Sequence, residues 1–382
     1  MEILCEARNS LACVTLNRPA ALNALSLGMV EELQQALQRF AADPEIRGVL
    51  MQGTGEKAFC AGGDVRALYD SFRSAGTLHD EFFVREYPLD YLLHQYPKPY
   101  IALMNGIVMG GGMGLAQGSR LRVVGDRTRM AMPEVAIGFF PDVGASFFLS
   151  RLPGALGTYL ALTGTQIRAH DAVYVGLADY YLAPAAMQSL QSELDTLHWS
   201  AAGAAADRSD LERLLERLAL TGGAGQPGAG PPGAGPPVEA PLAKLRAAID
   251  EHFAVAGVPE LLASLARESR PEYAQWAQDT HKLLRARSPT MLAVTLRQMH
   301  LGRSMNLADC LRMELGMVRQ CFDHGDFMEG VRAVIVDKDN APKWRPPRIE
   351  EVTTASVEAI FNDPWSAGTH PLAKLGGDSQ CN

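Results

Sequence analysis

Apolar and polar positions along the chain switch between strand-like and helix-like spacing, and the switches outline its elements. Residues 2–7 and 11–16 read as two strands of a hairpin, with Arg8, Asn9 and Ser10 supplying the turn. After the irregular segment NRPAALNALS, Ser26 stands as a helix N-cap, and Val30, Leu33, Leu37 and Phe40 follow at spacings of three and four. Asp43-Pro44 stops that helix, and residues 47–52 read as a buried strand. Strand, helix and strand together predict a βαβ unit with parallel pairing. Further on, the pattern predicts a helix over 78–96, a buried strand over 99–104, helices over 144–163 and 168–176, and a short strand over 179–182. Residues 242–335 read as helical, with Leu283, Leu284, Met291, Leu292, Leu296 and Met299 on an apolar stripe.

Two glycine-rich stretches interrupt this pattern. The first is GTGEKAFCAGGD, residues 53–64, where Asp64 stands ready to cap a helix starting at Val65. The second follows the apolar run Pro99–Met104: after Gly106 come Gly110, Gly111, Gly112 and Gly114, broken only by Met113. Each glycine in a helix interior costs roughly 1 kcal/mol against alanine, so stability alone does not account for so many. The apolar flanks argue for a strand ending at a helix N-terminus, with backbone N–H groups facing an anionic or developing-anionic ligand.

Carboxylates follow. Glu134 sits within MPEVAI and Asp142 within FFPDVG. A charge among apolar neighbours is costly, and such surroundings raise a carboxyl pKa, which suits a base or nucleophile. The competing reading makes each a helix or turn cap, with Gly144 and Ser146 just beyond Asp142. Glu86, beside Arg85, reads on its own as a solvated helix acid. Cys60 is better read as a small buried hydrophobe than as a nucleophile.

Composition narrows the classes. The net charge of −8 weighs against nucleic-acid binding, and no stretch reaches the roughly 20 unbroken apolar residues of a membrane span. The N-terminal residues lack the features of a secretory signal or a mitochondrial presequence, so a cytoplasmic protein is expected. The 6 cysteines show no CxxC spacing and the 9 histidines no ligand spacing, so neither a disulfide framework nor a metal site is expected. Lys338, Lys343 and Arg345 form a small basic patch, better read as solvated surface than as a phosphate site. The run TGGAGQPGAGPPGAGPP divides the chain into an expected core over 1–220, a linker over 221–241, a helical region over 242–362 and a disordered tail over 363–382.

The segments FCAGGDVRALY, ALMNGIVMGGGMGL, AMPEVAIGFFPDVG and FLSRLPG resemble the crotonase (enoyl-CoA hydratase/isomerase) superfamily, and within it the 3-hydroxyisobutyryl-CoA hydrolase branch. SPTMLAVTLRQM, ADCLRMEL and DFMEGVRAVIVDKDNAPKW extend the likeness toward the C-terminus. The resemblance implies an α/β fold, a spiral of ββα repeats with a helical C-terminal region. It implies a 3-hydroxyacyl-CoA thioester as substrate, as in valine degradation, with coenzyme A part of the substrate and no further cofactor. Superfamily members often assemble as trimers, and the sequence leaves open whether the C-terminal helices replace a neighbour's contacts. By position, Glu134 and Asp142 match the catalytic carboxylates. The N–H groups of Gly63 and Gly111 match the oxyanion hole. Glu86, Gly62, Gly110 and Asp64 match the substrate's surroundings. Hydratases of the superfamily carry a first glutamate where this chain has Gly114, and commonly glycine where it has Asp142. The pattern therefore favours hydrolysis over hydration, with a non-catalytic acyl-CoA-binding protein as a third reading. Asn105 and the segment GASFFLSRL depart from the branch's usual residues, which leaves the acyl group open.

Overall fold

The computed structural model describes residues 1–200, 203–221, 240–366 and 368–376. Most of the expected linker, residues 222–239, lies outside the described residues, as do 377–382 of the expected tail. The chain groups into two compact units that interleave along the sequence. One comprises residues 1–63, 92–131 and 166–244, and the other 64–91, 132–165 and 245–382. This division differs from the sequence-based one, because helices on both sides of the Gly/Pro run share a unit with earlier segments.

The first unit holds the strands. β1 (Ile3–Arg8) and β2 (Leu11–Leu16) form the expected antiparallel hairpin, and β3 (Gly48–Gly53) pairs parallel to β2 through the helix Leu27–Ala42. Ser26 caps that helix, its side chain accepting from Met29 N. β4 (Ala58–Cys60), β5 (Tyr100–Met104), β6 (Ile107–Met109), β7 (Leu121–Val124), β8 (Arg129–Ala131) and β9 (Tyr180–Tyr181) complete two sheets. The larger has the order β1-β2-β3-β5-β7-β9 and the smaller β4-β6-β8. Successive strand pairs thus divide between the sheets, the first partner joining the large one and the second the small one. That alternation is the repeat of an α/β spiral. Helices Pro184–Asp195 and Ala204–Thr221 bury Leu190, Leu194, Leu211, Leu214 and Leu215 against Leu50, Ile101, Leu121 and Val123 of the large sheet.

All pairings in the small sheet are parallel, so its C-terminal strand ends share one edge. β4 leaves that edge into Gly62-Gly63 and β6 into Gly110-Gly111. In parallel sheets, loops after carboxyl ends are where ligands are met.

The second unit is helical. It includes Val65–Arg73, most of Leu78–His94, Leu156–Thr163, Pro289–Gly302 and Leu307–His324. The stretch 144–163, expected as one helix, is two, Ala145–Phe148 and Leu156–Thr163, because Pro153-Gly154 breaks the run. Part of the expected disordered tail is folded: Leu372 and His370 are buried, and Arg312 Nη1 donates to the carbonyls of Leu372 and Leu375. An apolar anchor and a guanidinium that satisfies free carbonyls account for that order.

Candidate active site

The first unit supplies two glycine loops that touch. Gly62 has φ of +99° and Gly110 φ of +49°, conformations that favour glycine over any L side chain. A Cβ on Gly62 would lie 3.1 Å from the Met109 carbonyl and 3.4 Å from Gly111 N, so the loops pack backbone to backbone. A Cβ on Gly112 would meet the Cys60 carbonyl at 2.3 Å, which only a missing side chain permits. Cys60 is buried with Sγ 3.9 Å from the Gly62 carbonyl, a packing residue under the loops. Gly63 is tied to Leu25 by a parallel bridge, fixing the first loop. Gly111 opens the helix Gly111–Gln117, and the carbonyl of Gly110 takes the N–H groups of Met113 and Gly114. The N–H groups of Gly111 and Gly112 precede every intrahelical acceptor and point out of the helix start.

The second unit supplies the acids. Glu134 opens a one-turn 3₁₀ helix, Glu134–Ile137, that ends at Gly138 with φ of +68°. A Cβ on Gly138 would sit 2.3 Å from the Asp326 carbonyl, so the turn is pressed against its support. Glu134 is buried and its Oε2 has no hydrogen-bond partner. Burial, and then the charge of Asp142, hold its pKa well above the ordinary carboxylate range. Asp142 is also buried, and Tyr87 Oη donates to its Oδ2 at 2.8 Å. Burial pushes its pKa up to about 7 while the Tyr87 hydrogen bond works in the opposite direction. Gly144, not Asp142, occupies the N-cap of the helix Ala145–Phe148 and brings no capping side chain of its own. Asp142 is therefore free of the capping role that the sequence left open.

Glu86 belongs to the same cluster. It is 2% exposed, and burial followed by the charges of Asp142 and Glu134 raises its pKa well above the usual value. That environment excludes the solvated helix acid. Asp64, in contrast, works as a cap: its side chain accepts from Ala67 N at 3.2 Å and starts the helix Val65–Arg73.

Residues outside the sequence-based set hold the acids in place. Glu314 is fully buried, and its carboxylate accepts from Gly144 N at 2.8 Å and Ser146 N at 2.9 Å. Burial nonetheless pushes its pKa up to about 8. Gln298 Nε2 donates to the Pro141 carbonyl at 2.6 Å and to Ser146 Oγ at 2.8 Å. Asp90, one turn after Glu86, is buried with both carboxyl oxygens unpartnered. Phe139 stacks on Phe140 and packs on Phe327 and Phe83, an aromatic lining that explains the desolvation. The sequence signal for Asp90 was its i+4 spacing from Glu86, and for Glu314 its place with Cys310, Leu311 and Val318 on the apolar face of its helix.

Chemically, the first unit offers paired backbone donors and the second a set of desolvated carboxyls of raised basicity. Among the described residues, no grouping of three His, Cys, Asp or Glu side chains is arranged to hold a metal ion. No helix among them is long and apolar enough to cross a membrane.

Comparison with known proteins gives this arrangement relatives. The enoyl-CoA hydratase/isomerase family model matches residues 11–361. A mitochondrial 3-hydroxyisobutyryl-CoA hydrolase of Danio rerio is 37% identical over 363 residues, covering 94% of this chain and 89% of the relative. 3-Hydroxyisobutyryl-CoA hydrolase 1 of Arabidopsis thaliana is 35% identical over 370 residues, covering 94% and 91%. Among solved structures, a carnitinyl-CoA dehydratase from Mycobacterium thermoresistibile superposes with a TM-score of 0.81 at 37% identity, covering 95% of this chain and 97% of that one. An enoyl-CoA hydratase from Rhodobacter sphaeroides gives 0.79 at 33% identity, covering 95% and 98%.

Proposed function

The chain belongs to the enoyl-CoA hydratase/isomerase family, and within it we propose that the protein hydrolyses 3-hydroxyisobutyryl-CoA to the free acid and coenzyme A. Relatives bearing that hydrolase name match 94% of this chain. The observation that carries the reading is the buried pair Glu134 and Asp142, combined with glycine at position 114. Hydration across a double bond needs an acid and a base about that bond, and Gly114 supplies neither. Hydrolysis needs one group at the carbonyl carbon and one polar partner for the substrate's hydroxyl.

In this mechanism the N–H groups of Gly63 and Gly111 take the developing charge of the thioester oxygen. Glu134, ionised, either attacks the carbonyl carbon or removes a proton from water that does so. In the first route the C–S bond breaks, the thiolate leaves and takes up a proton, and water then opens the acyl anhydride. Asp142 orients the 3-hydroxyl, with Tyr87 fixing its Oδ2. Glu86 completes the substrate's surroundings. Coenzyme A enters as part of the substrate. Release of the hydroxy acid fits a place in valine degradation.

The hydratase reading retains one specific support, the superposition on proteins named as a dehydratase and a hydratase. One assay separates the two. Thiol release is followed with 3-hydroxyisobutyryl-CoA, and loss of enoyl absorbance with crotonyl-CoA. Fast thiol release and slow hydration are expected. Fast enoyl loss without thiol release would overturn the hydrolase.

A further inference from the structure

The acids around Glu134 and Asp142 are too many for all of them to be charged. Asp90 is the extreme case. It has no solvent exposure, and among the described residues neither of its carboxyl oxygens has a hydrogen-bond partner and no ion pair reaches it. A lone ionised carboxylate in such a place is opposed by a desolvation cost of many kcal/mol. The charges that act on it all come from acids: Glu86 on its own helix, Asp142 on the turn after Gly138, and Glu314 on the helix Leu307–His324. Burial comes first in raising its pKa, and the charges of those acids add to it.

A protonated carboxyl is a donor as well as an acceptor. Its choice of acceptor follows from what the neighbours already bind. Glu314 receives the Gly144 and Ser146 N–H groups, and Asp142 Oδ2 receives the Tyr87 hydroxyl. Glu86 Oε1 is buried and receives nothing. Glu86 and Asp90 stand four residues apart on one helix, where side chains are neighbours, with Cβ atoms about 5–6 Å apart. We propose that Asp90 is a positioning residue, a neutral carboxylic acid whose O–H fixes the Glu86 carboxyl beside the substrate. One proton then serves two carboxyls, and the cluster keeps a single orientation of Glu86. The substrate-side role of Glu86 rests on the hydrolase reading, whereas the protonation of Asp90 does not.

The test uses the full-length protein and two variants. Infrared difference spectra of wild type against Asp90→Asn at neutral pH should show loss of the carbonyl stretch of a protonated acid. Asparagine keeps a neutral donor of the same shape, so Asp90→Asn should retain near wild-type kcat and an unmoved pH profile. Asp90→Leu removes the donor and should lower kcat roughly 10- to 100-fold, the range for a hydrogen bond to a charged group. Thermal melts check that both variants fold, and if leucine does not, the spectrum and the asparagine variant still decide. Loss of carboxylate bands in place of the protonated-acid band would overturn the proposal. So would an asparagine variant as impaired as the leucine one, or a leucine variant as active as wild type. If wild type releases no thiol from any 3-hydroxyacyl-CoA, the hydrolase reading fails while the infrared band still reports on Asp90.

Discussion

Tyr87→Phe removes one oxygen from the cluster and leaves the ring, which packs edge-on to Phe83 at 6.0 Å between centroids. The lost hydroxyl is the donor to Asp142 Oδ2 at 2.8 Å, with both residues buried. A hydrogen bond to a charged group contributes about 1.5–3 kcal/mol. At 1.36 kcal/mol per unit, that equals a rise of about 1–2 units in the Asp142 pKa. The group starts at about 7, where burial pushes up and Tyr87 pulls down. Removing the downward pull moves the midpoint toward about 8–9. If Asp142 acts as a carboxylate, activity rises with pH through that midpoint, and the rising limb of the variant moves to the alkaline side. The assay is kcat/KM for 3-hydroxyisobutyryl-CoA against pH, which reports the free enzyme. A profile lowered throughout with its rising limb unmoved would refute the coupling, and a limb moved to lower pH would reverse its sign.

Other expectations follow from the same geometry. Glu134→Gln keeps shape but removes base and nucleophile, so kcat should collapse with little change in KM, checked by steady-state thiol release. Gly111→Pro deletes one N–H at a helix position that accepts proline, and rate should fall by roughly 10²–10³, as for loss of an oxyanion donor. Gly112→Ala drives a methyl against the Cys60 carbonyl and should destabilise by about 1–3 kcal/mol, seen as a lower thermal midpoint. The raised carboxyls also set a pH dependence of stability. Asp142 at about 7 and Glu314 at about 8 keep protons that the unfolded chain releases near pH 4, so the folded state binds more protons across that window. Their contribution is complete below about pH 4 and is lost as pH rises through about 7–8, so melts should show a falling midpoint across that interval.

The hairpin, the βαβ unit and the capped helices were legible because each rests on local signals: Ser26, Asp43-Pro44 and Asp64 sit where the backbone needs them. The glycine loops were legible for the same reason, since five glycines in nine residues have no other local use. The carboxyls Glu134, Asp142 and Glu86 were visible as acids in apolar surroundings or through family resemblance. Their supports were not. Glu314 meets Gly144 across 170 residues and Gln298 meets Pro141 across 157, separations at which spacing along the chain carries no signal. The short strands of the small sheet escaped the pattern as well, because three residues are too few to display alternation. Leu372 shows the opposite error, in which part of a chain end read as disorder folds onto the distant Arg312.

The clasp of Glu314 on the Asp142 turn has a bearing on the protein's birth. Ribosomes add about 5–20 residues each second, so 170 residues correspond to roughly 10–35 s of translation between Gly144 and its partner. For most of that interval the nascent loop has neither Glu314 nor Gln298 to hold it. Until then its acids lack the contacts from Glu314 and Gln298 that fix the turn in the folded protein. The order of the turn is thus completed late, when the helix Leu307–His324 is made and closes the loop from a distance.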